Sequence, residues 1–133
     1  MWVETFSKKK EVQRNSLSRA DLASSKSVSE KFKRKKLELE DRKEVREILN
    51  NCENEKFDAV EFEKATKGEA LIVLAHHLFE INKFYRIFQV TKNCAFAFFS
   101  KIKEGYKDNP YHNKTHAVDV TQVNFLYSIS QYS

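Results

Sequence analysis

Two histidines, His112 and His116, stand four residues apart just beyond Asn109-Pro110, with Asp119 three residues after the second. On a helix this spacing sets all three along one face. A pair of neighbouring imidazoles can divide two tasks, one nitrogen holding a metal while another delivers a proton. A bare His-x-x-x-His is weak evidence by itself, since two surface histidines beside a turn give the same pattern. The residue after His112 narrows the chemistry. A zinc protease helix carries Glu there, to act as the base on metal-bound water. This chain carries Asn113, which takes no proton at neutral pH, so the peptidase mechanism is excluded.

The whole stretch Asn109-Pro110-Tyr111-His112-Asn113-Lys114-Thr115-His116-Ala117-Val118-Asp119-Val120-Thr121-Gln122 resembles the signature of the class I 3′,5′-cyclic nucleotide phosphodiesterases. That family's Tyr-His-Asn-x-x-His-Ala-x-Asp-Val is met at every fixed position from Tyr111 to Val120. A looser likeness to the family's first helices extends upstream, through Phe57-Asp58-Ala59-Val60-Glu61-Phe62, Ala70-Leu71 to His77-Leu78-Phe79, and Phe98-Phe99 to Gly105-Tyr106. It covers roughly residues 57–133.

The resemblance implies an all-α fold, a partial helical bundle formed by the first helices of a phosphodiesterase catalytic domain. It implies hydrolysis of cyclic AMP or cyclic GMP to the 5′-monophosphate in signal transduction. His112 matches the general acid that protonates the O3′ leaving group, and His116 matches the first zinc ligand, which works beside a magnesium. Tyr111 and Asn113 match residues that line or brace the site. Asp119 matches a structural carboxylate near the metal rather than a ligand. A bridging hydroxide between two metals would supply the nucleophile. In the family the remaining ligands (another His and two Asp), the purine-gripping Gln and an aromatic clamp all lie downstream of the motif. The chain stops at Ser133, which gives the expectation of a truncated catalytic domain without activity or tight metal binding of its own. The competing reading is an inactive homologue that acts as an interaction or regulatory partner, as a homo-oligomer or with a full-length phosphodiesterase.

Composition bounds the rest. Phe is abundant, at 11 of 133 residues, but large apolar side chains are sparse before Phe57 and crowded after it. Fewer than about eighty residues must then build the core, a marginal number. In a full family member later helices would cover Phe96, Phe99, Leu126 and part of the 71–81 face, so the resemblance implies that these are more exposed here than a core allows. The formal charge of +5 gathers in Lys8-Lys9-Lys10 and Lys31-Phe32-Lys33-Arg34-Lys35-Lys36, but acidic residues follow closely. A solvated charged helix accounts for this better than a binding patch. Membrane-surface contact by the basic segment is a weak reading, and no aromatic platform supports nucleic acid. Cys52 and Cys94 form no CxxC or disulfide framework, which fits a reducing cytoplasm. No apolar run nears the length of about twenty residues that spans a bilayer. Two Gly and one Pro leave little turn punctuation, which also points to helices.

Three segments follow. Residues 1–28 read as a flexible, basic, Ser-rich stretch. Residues 29–56 read as a charged linker helix, opened by the capping box of Ser27 and Glu30 and running to about residue 50, with Leu37, Val45, Ile48 and Leu49 as its apolar contacts. Residues 57–133 hold the domain. Within it, Thr66 and Glu69 form a second capping-box pattern before an apolar helix. The adjacent His76 and His77 face different directions and read as packing or surface residues. A helix from about residue 92 to 106 carries Phe96, Phe99, Ile102 and Tyr106 on one stripe. A final helix then carries His116 and sends Val120, Val123 and Leu126 inward. His112 and His116 are expected together at its start, facing an open cavity.

Overall fold

A computed structural model of the chain describes residues 42–132, together with residues 30, 31, 34 and 38. The expectations for residues 1–28, the capping box at Ser27 and most of the basic runs fall outside the described residues. The fold is all-α, with no strand among the described residues. The helices are α1 (Lys43–Asn50), α2 (Ala59–Ala65), α3 (Ala70–Ile81), α4 (Phe84–Ile87), α5 (Lys92–Gly105) and α6 (Lys114–Gln131). None of them is long and apolar enough to cross a membrane.

The bundle is organised around α3. Ala70, Leu71, Ile72, Val73 and Leu74 are buried in succession, followed by His76 and Leu78. Five consecutive buried residues sweep more than a full turn, so no side of the helix's first half faces solvent. One core lies where α3 meets α1, α2 and α6, and includes Phe62, Leu74 and Val118. A second lies toward α5, where Ile72 meets Ala95, Phe96 and Phe99. Phe96 and Phe99 are 4% and 6% exposed, contrary to the expected exposure, whereas Leu126 is only half-buried and Ile81 of the 71–81 face is 41% exposed, as expected. The aromatic side chains of Phe79 and Tyr85, with Ala75 and Val90, close over this second core and supply the cover expected from later helices.

The short α1 differs from the expected linker. Val45, Ile48 and Leu49 are all buried in the first core, on the i, i+3, i+4 stripe. Three side chains make a narrow stripe, yet all three converge on the same neighbours as Phe62. The break at residues 50–54 is therefore a turn within one core.

Turns are made with almost no glycine. Lys67, Lys83 and Gln89 take φ of 54°, 58° and 52°, each just past a helix end. After α2, the Gly68 N–H donates to Glu63 O and the Lys67 N–H to Lys64 O, the paired bonds of a Schellman motif. Thr66 thus closes α2, its hydroxyl donating to Phe62 O at 2.7 Å, and does not open α3 as its capping-box pattern suggested. Glu69 stands at the N-cap of α3 without a side-chain cap bond. Its carboxylate is drawn instead to Lys103 Nζ of α5, 2.7 Å away. Asp58 caps α2, accepting from the Val60 and Glu61 N–H groups.

On α6, Val120 and Val123 are 41% and 53% exposed, and Ala117, Val118 and Gln122 turn inward in their place. The inward stripe is rotated from the expected one because it contains a buried amide that a hydropathy pattern counts as polar. Phe98 and Ile102 of α5 and Tyr127 of α6 are also exposed.

Burial, reinforced by the adjacent Glu53 carboxylate, pushes the Cys52 thiol up to about 11 from 9.0. The unfolded chain loses this proton first, so the stabilisation is full below pH 9 and declines as the pH rises toward 11. Urea unfolding should show a fall of roughly 2 kcal/mol over that interval. Cys52→Ala should flatten this decline, whatever its effect on stability at pH 8.

Candidate functional site

The helix α5 ends at Gly105, earlier than the Asn-Pro break, and an exposed connection leads through Pro110 to the start of α6. Asn113 organises that start. Its Oδ1 accepts from the His116 N–H at 3.0 Å as the N-cap of α6, while its Nδ2 donates to Asn109 O at 3.0 Å. The Asn109 Nδ2 donates in turn to His112 O at 3.4 Å. One amide side chain therefore caps the helix and closes the 109–113 loop. A carboxylate could accept but could not donate, which gives Asn a structural reason to stand where zinc proteases carry Glu.

This loop brings three rings together. The centroids of Tyr111 and His112 are 5.0 Å apart, those of Tyr111 and His116 also 5.0 Å, and those of the two histidines 5.8 Å. Tyr111 is 69% exposed and His112 is exposed, whereas His116 is half-buried in the first turn of α6. His112 lies in the loop before the helix, so the two imidazoles cluster without sharing a helical face. Asp119 is exposed one turn further along.

A cavity of about 440 Å³ separates the first turns of α6 from the start of α2, with Asn113, His116 and Asp119 on one wall and Phe57, Asp58 and Val60 on the other. His112 does not line it, so only one of the two histidines faces the cavity as expected. Among the described residues, no three His, Cys, Asp or Glu side chains are grouped to hold a metal ion. His116 could give one imidazole, short of the about three protein ligands of even an open zinc site. The donor set in this stretch does not fit a resident zinc.

Lys114, the variable position after Asn113, braces the site. Its Nζ lies 2.9 Å from Glu63 Oε1 and donates to Gly68 O at 3.2 Å, pinning α6 to the far end of α2. At the other end of α2, the buried Gln122 donates from Nε2 to Cys52 O and Asn54 O, both at 3.0 Å. The sequence pattern offered neither brace. Gln122 could have been found only as the polar member of the inward series Ala117, Val118, Gln122.

His76 is a core residue, as its sequence context suggested. It is fully buried, stacks on Phe96 at 4.8 Å and meets the Tyr85 hydroxyl through Nδ1. Its Nε2 lies 3.1 Å from Glu80 Oε1, which also accepts from Lys92 Nζ at 2.8 Å. Burial and the Glu80 charge push the Tyr85 phenol up to about 12.

No family model and no solved structure matches the chain. Curated proteins do. The chain is 36% identical over 74 residues to the 3′,5′-cyclic-AMP phosphodiesterase 4 of Dictyostelium discoideum, covering 55% of this chain and 7% of that protein. It is 33% identical over 81 residues to the dual specificity calcium/calmodulin-dependent 3′,5′-cyclic nucleotide phosphodiesterase 1 of Drosophila melanogaster, covering 59% and 10%. It is 33% identical over 76 residues to the human cGMP-inhibited 3′,5′-cyclic phosphodiesterase 3A, covering 57% and 7%. These matches span a tenth or less of each relative's length.

Asn113→Ala should lower stability by about 1–2 kcal/mol, through the lost cap and the opened loop. Asn113→Asp keeps the acceptor for His116 N–H but loses the donor to Asn109 O. Its urea midpoint should therefore fall between those of the wild type and the alanine variant.

Proposed function

We propose that the chain is the opening part of a class I cyclic nucleotide phosphodiesterase catalytic domain that hydrolyses a 3′,5′-cyclic nucleotide to the 5′-monophosphate, a reading supported by its likeness to three curated cyclic nucleotide phosphodiesterases. The observation that carries this reading is the ring cluster of Tyr111, His112 and His116, held at the start of α6 by the two-sided Asn113 bond. Opening a cyclic phosphate expels a poor alkoxide, which leaves readily only when protonated. An imidazole suits that role, since its ordinary pKa lies near the working pH. His112 is the proton donor to O3′: it is exposed, and the loop that carries it is closed on both sides. His116 would give one imidazole to a zinc beside a magnesium only if the remaining ligands were supplied from elsewhere in the catalytic domain, since the described residues alone do not hold a metal. Tyr111 packs against both rings, and Asp119 supports the cavity wall. Cys52 and Cys94 are free thiols, which supports a cytoplasmic enzyme.

A second reading, an inactive homologue that acts by pairing, draws support from the exposed Phe98, Val123 and Tyr127. Hydrolysis assays separate the two. The 133-residue chain alone should turn over neither cyclic AMP nor cyclic GMP. Substituted for the equivalent segment of the Dictyostelium relative, it should sustain hydrolysis. In that hybrid, His112→Ala should lower kcat by about 10²–10⁴-fold with metal content unchanged, whereas His116→Ala should lose zinc first. A folded, metal-loaded hybrid without activity would favour the pairing role. Enzyme-like hydrolysis by the isolated chain would overturn the assigned mechanism.

A further inference from the structure

Gln122 makes bonds unlike those of any other polar side chain described above. It is 3% exposed, and both hydrogens of its single nitrogen go to main-chain carbonyls about seventy residues upstream, Cys52 O and Asn54 O, each at 3.0 Å. Neither carbonyl belongs to a helix, and they sit two residues apart in the turn between α1 and α2. Two carbonyls converging on one amide nitrogen fix the shape of that turn as well as its distance from α6. The turn is tied further by its own bonds, from Asn54 Nδ2 to Asn51 Oδ1 and from the Lys56 N–H to Asn54 Oδ1.

Four residues after Asn54 the chain reaches Asp58, on the cavity wall that faces His116. Gln122 lies on the same helix as His116, six residues on, which is about 9 Å along the axis. The amide therefore links the two segments whose neighbours form the cavity's opposite walls. One end is rigidly attached to the helix bearing His116, and the other holds the segment that delivers Phe57 and Asp58. Lys114 makes the matching tie at the other end of α2, through Gly68 O and Glu63. With both ties in place, α2 can neither slide along α6 nor tilt away from it without stranding a buried polar group. Helix α1, whose Val45, Ile48 and Leu49 share the first core, runs straight into the same turn.

We propose that Gln122 is a positioning residue. Through Cys52 O and Asn54 O it sets the width of the cavity beside His116, and it couples the segment entering through α1 to the start of α6. The inference rests on the reading above only in treating the His116 helix as the site helix. Its test needs no hydrolysis, so the two can fail separately.

The experiment uses the 133-residue chain. Gln122→Met keeps the length and volume but donates nothing, leaving two buried carbonyls without a partner. Hydrogen exchange at the Val60 and Glu61 amides, both bonded to Asp58, should rise about tenfold or more relative to α3. The imidazole resonances of His116 should move, while those of His76, in the other core, stay in place. Gln122→Glu adds a pH profile. Protonated, its carboxyl can donate to one carbonyl and should restore part of the protection; ionised, it repels both. A methionine variant with His116 resonances unmoved, or with amide exchange that rises only in step with global unfolding, overturns the proposal. Should that variant not fold, native-state exchange of the wild type decides. The amides of Val60, Glu61, His116 and Ala117 should open as one unit with a shared denaturant dependence, and independent opening of the two groups overturns the coupling.

Discussion

The burial of the first half of α3 on every side is the constraint from which the rest of the architecture follows. A helix that buries Ala70 through Leu74 without interruption has no face there to offer solvent, so it must be enclosed. Only helices with complementary apolar stripes can enclose it, and α1, α2 and α6 supply one wall while α5 and the aromatic residues around α4 supply the other. The hydrophobic contribution here comes from a few large side chains such as Phe62, Ile72 and Leu74, each fully buried. Burying a side chain of this kind contributes about 1.5–3 kcal/mol against leaving it exposed, which is large beside the marginal stability of a small domain.

Enclosing α3 fixes which helices are neighbours, but apolar contact leaves their sliding and rotation loosely set. Polar ties supply the register. Lys103 to Glu69 joins α5 to the start of α3, and Lys114 to Glu63 and Gly68 joins α6 to the end of α2. Gln122 joins α6 to the turn before α2. Each tie reaches a helix end or a turn, where main-chain groups lack intrahelical partners. The bonds from Lys114 to Gly68 O and from Gln122 to Cys52 O and Asn54 O also satisfy main-chain carbonyls outside the helices, and together the ties place the first turn of α6.

The helical class and the approximate extent of α5 were legible in the sequence, because apolar spacing is a local signal. The signature around His112 was legible too, as a run of residue types with a defined chemical use. What escaped has physical causes. Thr66 and Glu69 look like an N-terminal capping box, but lysine in the left-handed region at Lys67 converts them into a helix stop and an ion-pair partner for α5. Val45, Ile48 and Leu49 look too few to matter, since a sequence shows the width of a stripe and not its partners. Gln122 reads as surface because its acceptors are about seventy residues away. Long-range polar bonds leave no periodic trace.

The contrast between the histidines shows how this fold separates packing from chemistry. His76 is fully buried, with Tyr85, Glu80 and Phe96 around its ring, and every such contact makes the imidazole harder to use for proton transfer to a ligand. His112 and His116 are held by the main-chain bonds around them, through Asn109 and Asn113, while their rings touch chiefly Tyr111 and each other. Such an arrangement fixes the backbone without consuming the ring nitrogens. It leaves His112 accessible at the loop and His116 bordering a cavity, both outside the cores that stabilise the bundle. A ring that contributes little to the core can be replaced with little loss of stability. Its conformation is nonetheless determined, because the loop beneath it is closed by an amide that donates on one side and accepts on the other.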